Sequence, residues 1–92
     1  MRIRIDYYGQ SRQIAGKDSE FIEVPSGSSA GDAVLSLASM YGEKMQYLLL
    51  SEKGTPRRSV ILAVNDVSVD PGAAECLNEH DVLAVLPAVG GG

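Results

Sequence analysis

Ser29, Ala30, Gly31, Asp32, Ala33, Val34, Leu35, Ser36, Leu37, Ala38, Ser39, Met40, Tyr41 and Gly42 form the stretch whose reading decides the fold. Ser29 followed three residues later by Asp32 resembles a capping box, and Ala30, Ala33, Val34, Leu37, Met40 and Tyr41 then recur at helical spacing until Gly42. Ser36 and Ser39 suit a solvent face, so the apolar stripe must lie on a sheet. The strands on either side share this one helical cover.

Working outward, residues 2–8 alternate strictly, with Ile3, Ile5 and Tyr7 on one face and Arg4 and Asp6 on the other, the period of a half-buried strand. Residues 9–18 are polar and punctuated by Gly9 and Gly16, with a helical turn from Gln10 to Ala15 closed by Gly16. Residues 20–24 are β-branched and aromatic enough for a second strand, stopped by Pro25, Ser26 and Gly27, and the two strands are expected to pair as a hairpin. Beyond the helix, residues 45–50 read as a helical turn packing at the sheet's edge, and residues 51–58 as an exposed loop. Residues 60–64 and 82–86 are continuously apolar, which places both strands in the sheet's interior. Asn65 and Asp66 read as a tight hairpin turn into a short strand at 67–69 that Pro71 and Gly72 end. A brief helical turn at 75–77 and a turn at 78–81 precede the last strand.

This order is an α+β pattern, a mixed sheet of four to five strands with one main helix on one face, which is the β-grasp (ubiquitin-like) arrangement. The opposite face has no cover from this chain, yet residues 60–64 and 82–86 put apolar side chains on both faces. A contiguous exposed apolar patch marks a docking surface. The candidate docking residues are Val60, Leu62, Val64, Val82, Ala84, Leu86, Pro87 and Val89.

Ninety-two residues allow one domain, 1–92, burying about two thirds of its surface, with residues 90–92 as a flexible glycine tail. With 45% hydrophobic and 22% charged residues, the composition argues against disorder. A net charge of −4 and a pI near 4.7 argue against nucleic acid or an anionic membrane as the main partner, because phosphate contacts need clustered Lys and Arg. The single cysteine, Cys76, forms no internal disulfide, and without an N-terminal apolar stretch a cytoplasmic location is expected. No run reaches the roughly 18 apolar residues that cross a bilayer.

An ordinary active site is hard to find. Cys76 and His80 are four apart, but a turn fixes no geometry between them and no third orienting group is apparent, so a packed cysteine and a turn histidine are expected. One Cys and one His are too few for a metal site, so neither a metal nor a bound cofactor is expected. P-loop, dinucleotide-binding and GxSxG motifs are missing. Catalysis by the chain alone is not expected. The remaining reactive group is the carboxylate of Gly92, behind Gly90 and Gly91. Without Cβ atoms such a tail can thread a channel too narrow for other residues.

An apolar last strand, Pro87, Ala88 and Val89, and a terminal Gly91 and Gly92 resemble the ubiquitin-like sulfur carrier family, nearest to the small subunit of molybdopterin synthase and the related cysteine-forming carriers. Residues 8–16 with Arg12, Ala15 and Gly16, the turn at Val64 and Asn65, and the turn at 77–81 agree with it. Ala88, Gly90 and His80 depart from the pattern and blur the subfamily. The resemblance implies that a ubiquitin-activating-like adenylyltransferase adenylates Gly92 with ATP and Mg²⁺, and that a sulfur donor then converts it to a thiocarboxylate. Gly90 and Gly91 thread the tail into a partner such as the molybdopterin synthase large subunit, where the sulfide is delivered. Carriers for cysteine synthesis or tRNA thiolation, and modifiers conjugated to lysines, share the adenylate and stay open. So does a plain interaction module with an incidental tail.

Overall fold

Alternation at the N-terminus builds strand β1 (Arg2–Tyr7), whose Ile3, Ile5 and Tyr7 are buried while Arg2 and Arg4 are exposed. The computed structural model describes residues 1–87. After β1 come helix α1 (Gln10–Ala15), strand β2 (Ser19–Glu23), helices α2 (Ala30–Tyr41) and α3 (Glu43–Leu49), and strands β3 (Ile61–Val64), β4 (Val67–Val69) and β5 (Val82–Leu86). The sheet order is β2-β1-β5-β3-β4. β5 is therefore central, parallel to β1 and antiparallel to β3, while β1 pairs antiparallel with β2 as the expected hairpin. This mixed five-stranded sheet under one main helix is the β-grasp fold.

Local chemistry explains the elements. The Ser29 hydroxyl accepts the Asp32 amide at 3.2 Å and the Asp32 carboxylate accepts the Ser29 amide at 3.0 Å, so the capping box that starts α2 is complete. Ala30, Ala33, Val34, Leu37 and Ala38 then face the sheet, and Ser39 faces solvent. Of the last two residues expected in the stripe, Tyr41 packs against the core and Met40 is exposed. Gly31 lets α2 abut the loop after β4, since a Cβ there would sit 2.5 Å from the Pro71 carbonyl oxygen. Asn65 and Asp66 both adopt left-handed φ, 51° and 70°, the conformation a two-residue hairpin turn demands.

Helix α3 begins two residues before the expected turn and buries Met45 and Leu49. Residues 75–77, expected as a helical turn, are extended: Cys76 bridges antiparallel to Ser29, and the Leu77 amide donates to the Ser28 carbonyl at 2.7 Å. Pairing with the segment before α2 satisfies more backbone than an isolated turn would. Cys76 is exposed, not packed.

The core joins Ile3 and Ile5 of β1, Val34 and Leu37 of α2, Leu62 of β3, and Leu83 and Val85 of β5. Each is fully buried, and burial of one such side chain contributes roughly 1.5–3 kcal/mol. One polar cluster borders it. The Tyr7 and Tyr41 hydroxyls both donate to the same Glu20 carboxylate oxygen, the rings meet edge to face with centroids 6.1 Å apart, and Lys17 lies 3.5 Å from the other oxygen. Burial alone would raise Glu20, but the Tyr41 and Tyr7 donors and Lys17 hold it below the usual carboxylate range. Burial and the Glu20 carboxylate push the Tyr7 hydroxyl up.

A depressed carboxylate contributes stability above its unfolded pKa, about 4.3 for Glu, that is lost as pH falls through the folded value. The melting temperature of the wild type should therefore drop from about pH 5 to pH 3 more than that of Glu20→Gln, as thermal melts across this range would record. Parallel curves would remove Glu20 from the acid response.

Candidate functional site

The chain leaves the sheet at the end of β5, and both ends of that strand are fixed by side chains. At its start, the Asn65 amide nitrogen donates to Asp81 at 2.9 Å while its oxygen accepts the Val82 amide at 2.9 Å. His80, with φ of 70°, turns the chain there, and its amide donates to the Arg2 carbonyl at 2.8 Å. At its far end the Tyr8 amide donates to the Val85 carbonyl at 3.2 Å. The fully buried Ser11 hydroxyl donates to the Tyr8 carbonyl at 2.7 Å, lies 3.4 Å from the Val85 carbonyl and accepts from the Tyr8 amide at 3.3 Å. Leu86 then pairs with Ile61, and Pro87 follows with its fixed φ, which also holds Leu86 extended.

Strand register decides which candidate docking residues share a face. Val82, Ala84 and Leu86 lie on the face opposite α2, each half-buried, beside Ala63 and Ile61 of β3. Val60 and Leu62 are buried in the core, and Val64 packs against it, so these three lie on the helix side instead of the open face. Ile61, 55% exposed, and Ala63 take their place. A continuously apolar run carries no alternation to mark its faces; pairing with Leu83 and Val85 fixes them. The available signal was Ser68, whose polarity, passed across the hairpin turn to its partner Ala63, marks the open side. Pro87 is half-buried at the exit, and Val89, Gly90, Gly91 and Gly92 lie outside the described residues.

Charge borders this apolar strip. In the parallel register Arg4 lies opposite Val82 and Asp6 opposite Ala84, and the two charges pair at 2.8 Å. Farther out, Arg2 pairs with Glu23 at 3.2 Å and stacks over Phe21 at 5.9 Å. An apolar centre with a polar rim is the composition of a protein-docking face. Sequence reading missed Ser11, because a serine in a polar helical turn looks ordinary until its depth is known.

Among the described residues, no cluster of three or more Cys, His, Asp or Glu could hold a metal, and no helix is long and apolar enough to cross a membrane. A central C-terminal strand in a mixed sheet crossed by one capped helix defines a ubiquitin-like β-grasp protein. The ThiS family model matches residues 5–92. Over 92 residues, covering 100% of both chains in each case, the sequence is 23% identical to the molybdopterin synthase sulfur carrier subunit of Chlamydomonas reinhardtii and 25% identical to small archaeal modifier protein 3 of Haloferax volcanii. The solved structure of a putative molybdopterin converting factor, subunit 1, from Pyrococcus furiosus is similar at a TM-score of 0.76 and 29% identity, covering 97% of this chain and 99% of that one. The chain belongs to the ThiS family of ubiquitin-like sulfur carriers.

Ser11→Ala should cost about 0.5–1.5 kcal/mol, because the fully buried hydroxyl donates to the Tyr8 carbonyl in a part-buried hydrogen bond that the variant loses. Denaturant melts would measure this. An unchanged midpoint would mean that the hydroxyl does not hold the end of β5.

Proposed function

We propose that this protein carries sulfur on Gly92 for molybdopterin biosynthesis, serving as co-substrate of other enzymes and not as a catalyst. The observation that carries the reading is the ThiS family match, which runs through residue 92 and so takes in Gly90, Gly91 and Gly92. Full-length similarity to a molybdopterin synthase sulfur carrier subunit supports the pathway. A carboxylate is a poor electrophile, so a ubiquitin-activating-like adenylyltransferase first joins it to AMP from Mg²⁺-bound ATP, releasing pyrophosphate. Sulfur at the sulfide level, released by a donor as hydrosulfide, then attacks the acyl carbon and displaces AMP, losing its proton to leave the thiocarboxylate. The acceptor, the molybdopterin synthase large subunit or another sulfur-accepting enzyme, takes sulfide from the tail that Gly90 and Gly91 thread into it. The open face of β5 and β3, with Ala84 at its middle, docks these partners. A reducing cytoplasm suits the exposed Cys76 thiol.

Similarity to small archaeal modifier protein 3 favours one second reading, attachment of Gly92 to lysines through an isopeptide bond. Both uses begin at the same adenylate.

With a cognate activating enzyme, ATP, Mg²⁺ and a sulfur donor, intact mass should show one oxygen of Gly92 replaced by sulfur; if the mass stays unchanged, the carrier reading is wrong. Ala84→Arg in the same assay should weaken partner binding by about 2 kcal/mol or more while leaving the melting temperature near that of the wild type. Peptides bearing a Gly-Gly remnant on lysine would instead establish conjugation.

A further inference from the structure

A groove of about 1030 Å³ lies on the helical side of the molecule; its charged lining residues are Lys44 and Arg57 against the single carboxylate of Glu43, with Gln10, Tyr41 and Tyr47 beside them. We infer that it is a second contact site for the activating enzyme and receives a carboxylate-bearing segment of that enzyme, an inference that rests on the sulfur-carrier reading.

Two observations point to an acidic occupant and a third to the enzyme that supplies it. The first is how the cations divide. Arg2, Arg4, Arg12 and Lys17 all form ion pairs, whereas Lys44, Lys53, Arg57 and Arg58 have no carboxylate within 4.0 Å among the described residues. All four lie in residues 43–58, where only Glu43 and Glu52 oppose them, so this segment is net positive in a chain of net charge −4.

The second is the geometry of Arg57. Its amide donates to the Leu49 carbonyl at 2.8 Å, its Nε donates to the Tyr47 carbonyl at 3.1 Å, and its guanidinium stacks over the Tyr47 ring at 5.6 Å. The side chain is thereby held in place with its other N–H groups unspent, and a fixed guanidinium fork matches a carboxylate. Tyr47 is 81% exposed, and a Tyr–Arg pair is the residue chemistry that dominates binding energy at interfaces.

The third is position. Gln10 follows the end of β1, where Tyr7 pairs with Val85, and Ser59, which also lines the groove, precedes Ile61, which pairs with Leu86. The groove therefore opens at the end of the sheet from which the chain leaves β5. An enzyme that takes the tail covers this end as well as the open face, and contact at both would set the rotation of the carrier above its active site.

Titration calorimetry and stopped-flow association with the cognate activating enzyme test this. Lys44→Glu/Arg57→Glu should lose at least about tenfold in affinity, mostly through slower and less salt-dependent association. Lys53→Glu/Arg58→Glu carries the same charge change outside the groove and should lose less than about threefold. If the double variant melts early, Lys44→Glu alone serves, since Lys44 is exposed and makes no ion pair among the described residues. Equal losses in the groove and control variants, or no loss in either, would overturn the inference. Failure of the wild type to bind and be adenylated would instead overturn the sulfur-carrier reading beneath it.

Discussion

The last strand of the chain is the middle strand of the sheet, and the rest of the structure depends on this arrangement. β5 is hydrogen-bonded to β1 on one side and β3 on the other, so it ties the N-terminal hairpin to the β3–β4 hairpin. Its helix-side residues, Leu83 and Val85, sit under α2 among Ile3, Ile5, Leu37 and Leu62. Asn65 secures where it starts and Ser11 where it ends. The segment that continues toward Gly92 is thus launched from the most constrained element of the fold, by a half-buried proline that adds no flexibility of its own.

The two sides of the molecule divide the remaining tasks. On the open face the cations of β1 are consumed by Asp6 and Glu23, which leaves an apolar strip along β5 and β3 within a neutralised border. On the helical side, residues 43–58 keep their positive charge available. An overall acidic protein is therefore locally basic beside its tail exit, which the net charge alone conceals.

Much of this was legible in the chain, and the failures have physical causes. β1 and α2 declare themselves because one face of each is buried and the other wet, so period and capping agree. Asn65 and Asp66 mark their turn because few other residue pairs tolerate two consecutive left-handed conformations. The faces of β3 were not legible: a strand surrounded by apolar neighbours spells no alternation, and Val60, Leu62 and Val64 were assigned to the side that Ile61 and Ala63 occupy. Residues 75–77 misled because their partner, the segment before α2, is some fifty residues away and local propensity cannot see it. Ser11 and Arg57 gain their roles only from tertiary placement, one by complete burial and the other by lying over Tyr47.

Native-state amide hydrogen exchange, followed residue by residue in increasing denaturant, tests most directly whether the tail departs from the rigid centre of the fold. The β5 amides should exchange only through global unfolding, with the same free energy as those of β1, while amides of α3 open locally at lower cost. Should the β5 amides exchange through local openings, as fast as those of α3, the last strand would be a loosely attached arm and this account of the molecule would be contradicted.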